Sequence, residues 1–547
     1  MEDTLRKSIS MAAGVTPEEV HLEHPSEKEH GDYATNLALV LAKERKENPR
    51  AVAEQIVAAL QKSKHEHIDR IEIAGPGFIN FYLSRKFFTE SIVTILAQGD
   101  DWGRNTENAG KKIMVEYTDP NPFKEFHIGH LMPNVIGESL SRLIEFSGAE
   151  VKRANYQGDV GLHVAKAIWG KQKYPEKSWG EAYALGATEY DSNETAKKEM
   201  HALNKTIYEQ TDAKVNALYD AGRKESLENF EKLYRVLGTS FDFYFFESET
   251  APIGKKIIEE NLAKGIFEKS DGAVIFRGEQ DGLHTRVFLN SEGLPTYEAK
   301  EIGLAFLKEE RYPTDISISV TGNEIVEYFK VVLSALRRID VKLAGKIVHI
   351  PHGMLRLPSG KMSSRTGDVV TAESLIDEVS KKVEEKTGER VAGKGQETIE
   401  SIAIGAIKYP ILKQGTGSDI IFDFEKSVSF EGDSGPYLQY AATRAHSILE
   451  KAGSAGNVKH VPKKVTEIER LLYRFPEIVE RATREYEPHY VATFLTELAG
   501  AFNSWYAKEK IIDDTPESSY KLALTKAFYQ TMKNGLWLLG IKTPERM

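Results

Sequence analysis

The 547-residue chain contains no cysteine. That absence removes disulfides, thiolate nucleophiles and cysteine-held zinc together, leaving histidine, lysine, arginine, carboxylates or an oxygen-bound metal for any chemistry. No run of about 18 apolar residues occurs, and the opening MEDTLRKSISMAAG mixes acids and bases without the apolar centre of a signal peptide. A cytoplasmic protein with no membrane partner is therefore expected. Also missing are low-complexity tracts and repeats at solenoid periods. There is no excess of positive charge: 82 acidic residues against 72 lysines and arginines give a net charge of −10. That balance argues against indiscriminate coating of nucleic acid, although a local basic surface on an acidic protein can still bind a shaped RNA.

What is present is an ordinary globular composition, 41% apolar and 28% charged, in a chain too long for one core. Residues 1–108 read as a small α+β unit. NLALVLAKERKENPRAVAEQIVAALQKS has helical spacing, IEIAGPGFINFYLS reads as strand, turn, strand, and QGDDWGRNTENAGKK is a polar linker. Residues 109–434 read as an α/β domain. The strand KKIMVEYT, the turn-rich DPNPFKEF, a helix closed by Gly148 and the strand AEVKRANY form the βαβ unit of a Rossmann-type doubly wound parallel sheet. A charged helical insertion is expected at about 165–240, with FDFYFFES, VIFR, RVFLN and ISISV as strands of a second half-sheet. Residues 435–547 carry helical periodicity and read as an all-α bundle.

The chemistry concentrates in FKEFHIGHLMPN, residues 123–134. Proline is tolerated in a helix only in its first turn, so Pro133 sets the helix start near Gly129 and His130. His127 and His130 then stand at the positive end of a helix dipole, at the carboxyl edge of a parallel strand, where such folds put nucleotide phosphates. Gly129 leaves room for a base or ribose. Taken alone, the two histidines read as polar residues satisfying a helix cap. Zinc is disfavoured because helical zinc motifs place histidines at i and i+4 around a glutamate. Further along, PSGKMSSRTGD at 358–368 brackets Lys361 and Arg365 between Gly360 and Gly367.

In combination, HIGH at a strand-to-helix turn and KMSSR after the second half-sheet resemble the two ATP motifs of class I aminoacyl-tRNA synthetases. VEYTDPNPFKEFHIGHLMPN, ANYQGDVGLH, FDFYFFES, LPTYEAKEIGLA, MSSRTGDVV, GPYLQYAATRAHSIL and LLGIKTPERM fall in the order and spacing of the arginyl-tRNA synthetase family. HGDYATNLALVLAK and AGPGFINFYL resemble that family's additional N-terminal domain.

The resemblance implies activation of arginine by ATP to arginyl-adenylate and pyrophosphate, followed by transfer to the 3′-terminal adenosine of the tRNA. It places His127, Gly129, His130, Lys361, Met362 and Ser363 at ATP, with His127, His130 and Lys361 as catalytic groups. Ser364 stands where KMSKS has its second lysine, and Lys124 matches a lysine that compensates for such variation in the family. A guanidinium is a planar fork that pairs best with carboxylates. By family position Glu247, Tyr297 and Glu301 receive it, Glu301 standing where aspartate is commoner, and Asn121 meets the α-amino end. Gln157 and Asp159 border the cleft, Asp159 alternatively capping the next helix, and Asn323 lines the same cleft. For tRNA the resemblance points to Tyr437, Gln439, Tyr440 and Arg444 at the start of an anticodon-binding bundle, and to Tyr33 and Asn36 at the tRNA elbow. Magnesium is expected to accompany ATP without a dedicated protein site, and a monomer is expected. The rivals are a class I synthetase for another amino acid, a free-standing nucleotidyltransferase and a catalytically inactive tRNA-binding paralogue.

Overall fold

The computed structural model describes residues 1–62, 65–358, 370–387 and 395–547. Lys361, Met362 and Ser363, with Ser364 and Arg365, lie outside the described residues. The chain divides into two compact units. One comprises 1–103, 441–478 and 497–534, and the other 104–440, 479–496 and 535–547.

The larger unit is built on five parallel strands: β1 (Lys112–Glu116), β2 (Glu150–Gln157), β3 (Phe243–Phe246), β4 (Ile316–Gly322) and β5 (Ile347–His352). Their spatial order is β3-β2-β1-β4-β5. The order reverses between β1 and β4, and at such a switch point the crevice beyond the strand ends is open to a ligand. The consecutive buried Ile113, Met114 and Val115 of β1 suit a strand covered on both faces. From β1 the chain enters α1 (Ile128–Phe146), which is buried along most of its length.

Four helices interrupt the sheet: α2 (Leu162–Lys173), α3 (Trp179–Ser192), α4 (Glu194–Glu209) and α5 (Ala213–Leu237). They close around Phe123, Val160, Val164, Ile168, Trp179, Ile207 and Val215. Next come α6 (Glu247–Leu262) and α7 (Tyr297–Arg311), which precede and follow a small antiparallel sheet in the chain and pack against each other at Gly254 and Ala299.

Three expectations need correction. VIFR and RVFLN do not join the parallel sheet; they lie in a separate antiparallel sheet of Glu268–Ser270, Ala273–Phe276 and Arg286–Leu289. The cause is local, since Asp271 (φ 48°) and Gly272 (φ 80°) form a two-residue turn that reverses the chain at once. The fifth parallel strand is instead the short segment Ile347–His352, which follows a helix without a turn signal. Pro133, thirdly, lies past the first turn, because the helix begins at Ile128. It therefore removes the N–H that would bond the Gly129 carbonyl.

In the smaller unit, Tyr33–Thr35, Phe78–Leu83 and Ile68–Ala74 form a three-stranded antiparallel sheet in that order. Its core gathers Leu5, Ile9, Val52, Ile56, Phe81, Phe88 and Tyr473.

Candidate active site

The loop between β1 and α1 holds Thr118 (φ 86°), Asp119 (φ 47°) and Phe123 (φ 69°) in left-handed conformations that cost non-glycine residues energy unless neighbours enforce them. The anchors are visible. Asp119 Oδ1 accepts from the Tyr156 N–H at 2.8 Å, and the Phe123 N–H donates to Ser226 Oγ at 2.9 Å. The buried Phe123 ring sits 5.3 Å from Trp179 and 5.8 Å from Tyr219. A side chain at Gly222 would strike both Phe123 and Trp179. The helical insertion thus holds the loop in shape, a role that sequence reading did not assign to Phe123, Gly222 or Ser226.

His127 is the N-cap of α1. The Gly129 N–H donates to His127 Nδ1 at 3.1 Å, and the His127 N–H donates to His130 Nδ1 at 3.3 Å. The two rings stack with centroids 3.8 Å apart. With each Nδ1 serving as an acceptor, the hydrogen-bond network assigns the proton of each neutral ring to Nε2. Burial, reinforced by Lys124, lowers the His127 imidazole to about 4 and also holds His130 well below the histidine range. The capping role and the ligand-facing role are consequently one arrangement. A Cβ at Gly129 would come within 2.7 Å of His127 Cε1, so the glycine makes room for this imidazole.

Both histidines line a cleft of about 450 Å³ at the β1/β4 switch point, with Thr118, Asp119, Gly322, Glu324 and His352. Met354 and Val370, near the two ends of the 359–369 segment, also line it. Beyond that segment the chain pairs with the motif itself: the Ile128 N–H donates to the Val370 carbonyl and the Ala372 N–H to the Phe126 carbonyl.

A second group gathers beside this cleft. A Cβ at Gly158 would lie 2.3 Å from Asn121 Oδ1 and 3.4 Å from Glu247 Cδ, so Asn121, Gly158 and Glu247 converge. His163 Nε2 holds the turn through the Gly158 carbonyl at 2.7 Å. Glu247 is the first residue of α6, 5% exposed, and its Oε2 accepts from Lys300 Nζ at 2.6 Å. Burial lowers the Lys124 ammonium to about 8, with Lys166 adding to the effect and Glu247 opposing it.

Tyr297 and Glu301 differ in exposure. Tyr297 is 63% exposed, whereas burial, with the Glu116 carboxylate adding to it, raises the Glu301 carboxyl above the usual carboxylate range. Glu116 pairs with Lys308 at 2.6 Å. Sequence reading missed Lys300, although its place between Tyr297 and Glu301 was the available signal.

Asp159 caps a helix, but α6 rather than the following α2. Its oxygens accept from the Ser248 N–H (2.8 Å), Ser248 Oγ (2.8 Å), Tyr219 Oη (3.0 Å) and Arg223 Nε (2.9 Å). Breaking such a buried pair typically costs about 3–5 kcal/mol. Asp159→Asn is expected to lower the unfolding free energy of this unit by that amount, read as a lower midpoint in urea; an unchanged transition would remove Asp159 from the scaffold. Gln157 is buried, with Nε2 3.4 Å from Tyr234 Oη. Asn323 is exposed after β4, next to Gly322 and Glu324 of the cleft wall.

The residues expected to meet tRNA separate by burial. Tyr33 is 1% exposed and donates to Glu477 Oε1 at 2.5 Å, which makes it a core residue, whereas Asn36 is exposed. Gln439 is buried and donates to the carbonyls of Ser401 and Lys542 at 3.1 and 2.8 Å. Tyr437, Tyr440 and Arg444 are partly exposed, and Arg444 donates to Asn503 Oδ1 at 2.5 Å with its guanidinium 5.3 Å from the Tyr506 ring. Among the described residues no helix is long and apolar enough to cross a membrane.

Comparison with known proteins matches three families along the chain. Residues 1–83 match the arginyl tRNA synthetase N terminal domain, 91–424 the class I (R) tRNA synthetase catalytic domain, and 438–547 the DALR anticodon binding domain. The chain is 31% identical to the arginine–tRNA ligase of Treponema denticola, covering 97% of this chain and 96% of that protein. It is likewise 31% identical to that of Clostridium perfringens, with 96% of each covered. The solved Thermus thermophilus arginyl-tRNA synthetase is similar over the full length of both chains, with a TM-score of 0.80 and 25% identity.

Proposed function

The chain belongs to the arginyl-tRNA synthetase family of class I enzymes, and on that premise we propose how its residues divide the reaction. It is an arginine–tRNA ligase, which activates arginine with ATP to arginyl-adenylate and pyrophosphate and then transfers arginine to the terminal adenosine of tRNA. The observation that carries the residue assignment is the pair of neutral, backbone-capped imidazoles facing the switch-point cleft.

In the first step the arginine carboxylate attacks the α-phosphorus in line, and negative charge grows on the equatorial and leaving oxygens. His127 and His130 direct their Nε2–H groups at those oxygens. Nothing reorients as the charge develops, because each Nδ1 is already committed to backbone. Lys361 supplies the cation for the leaving pyrophosphate, with Met362 and Ser363 beside ATP. The support is that the residues flanking this segment border the same cleft. Lys124 adds a second cation, and magnesium comes with the ATP phosphates.

Glu247 receives the guanidinium and Asn121 the α-amino group, their convergence at Gly158 supporting the pairing. Tyr297 covers the slot from its exposed side, and Glu301 shapes its floor. Gln157 and Asn323 border the slot, and Asp159 keeps α6 in place. Residues 1–108 and 435–547 serve tRNA, with Asn36, Tyr437, Tyr440 and Arg444 accessible and Tyr33 and Gln439 acting from the core.

Pyrophosphate exchange tests this reading. It is expected to depend on arginine among the amino acids and to require the cognate tRNA. Exchange driven equally by lysine or glutamate would refute the pocket assignment, and no exchange at all would favour an inactive paralogue.

A further inference from the structure

The Glu247 carboxylate already holds a cation. Lys300 Nζ lies 2.6 Å from Oε2, and both side chains are 6% exposed. A carboxylate so buried is costly without a counter-charge, and the N-terminus of α6 supplies only part of it. Lys300 supplies the rest. Rings within reach offer this ammonium a second resting place, with Tyr297 centred 5.0 Å and Tyr208 6.0 Å from Nζ. The charged groups facing Glu247 are Lys300 from α7, Lys124 from the loop after β1 and Asp159 from the loop after β2, while Glu301 acts on it from α7.

We propose that Lys300 is a tethered competitor for the substrate, occupying the Glu247 carboxylate in the free protein and withdrawing toward the tyrosines when arginine arrives. The proposal rests on Glu247 being the guanidinium's partner. A single ammonium engages one carboxylate oxygen, whereas a guanidinium lying in the carboxylate plane needs both. The two cations cannot share Glu247 in its present arrangement. Lys300 thus offsets the Glu247 charge and lowers the apparent affinity for arginine by the fraction of time it occupies the carboxylate. Occupancy of about nine-tenths weakens binding about tenfold.

The test titrates L-arginine calorimetrically into the full chain, comparing the wild type with K300M, K300Q and E247Q. A pH of about 8.5 favours the ionised form of Glu247, whose carboxyl burial raises above the usual carboxylate range. K300M is expected to bind arginine about tenfold more tightly, with KM for arginine falling in pyrophosphate exchange while KM for ATP stays put. K300Q, which retains a polar chain without the charge, carries the same expectation if K300M fails to fold. Unchanged or weaker arginine binding in the folded variants overturns the competitor role. E247Q separates the two ideas. Loss of arginine binding there, without tightening in K300M or K300Q, overturns Lys300 alone; normal binding in E247Q overturns the Glu247 assignment and the competitor with it.

Discussion

Replacing His130 with alanine lowers the arginine-dependent pyrophosphate exchange rate by about 100- to 1,000-fold, the usual loss for one preorganised donor to transition-state charge. Its effect on ATP binding is small by comparison, because the interaction strengthens only as negative charge develops. The substitution also removes the acceptor for the His127 N–H, so His127 loses part of its orientation along with its neighbour. Presteady-state measurement of adenylate formation, beside the ATP dissociation constant, distinguishes this from a binding defect. A change confined to ATP affinity would contradict the assigned role.

The pH behaviour follows from the same geometry. His127, lowered to about 4, and His130, held well below its ordinary value, are neutral in the folded protein near neutrality. Folding therefore releases protons that these groups bind in the unfolded chain below about 6.5. The contribution of His127 to stability is complete above about 6.5 and is lost as pH falls through about 4, and that of His130 is lost in the same direction. The adenylation rate should show no inflection near 6.5 from either residue, and a histidine-like step there would mean that the active form is imidazolium.

Glu247→Gln is expected to raise KM for arginine by roughly 30- to 5,000-fold, corresponding to about 2–5 kcal/mol for one partner of a buried charge pair. The amide keeps the shape but presents donors where the guanidinium needs acceptors. KM for ATP should move little, since the triphosphate cleft is lined by other residues. The variant also leaves Lys300 buried without its counter-charge. Some loss of stability accompanies the kinetic defect, and steady-state kinetics at a temperature well below unfolding separates the two. Arginine kinetics like those of the wild type would place the specificity determinant elsewhere.

Much of the catalytic framework was legible along the chain because its causes are local. A strand of Ile113, Met114 and Val115, a cluster of turn residues and a helix capped by His127 depend on neighbours a few positions apart. The HIGH motif could be placed at a helix N-terminus for that reason. The helical insertion was legible too, since amphipathic periodicity is a property of single segments. Strand partnership was less so: VIFR and RVFLN had strand composition, but the Asp271–Gly272 turn paired their sheet off from the parallel one.

By itself, then, the amino-acid order determined the class of enzyme, the Rossmann-type frame and the two imidazoles at its switch point. Only the folded chain decided which charges meet. Lys300 came to Glu247 while Glu301 came within the fields of Glu116 and Lys308, and Asp159 took up the start of α6. Those outcomes depend on side chains from helices and strands many residues apart sharing a water-poor interior. There, burial and distance set each ionisation, and neither quantity can be read from sequence spacing.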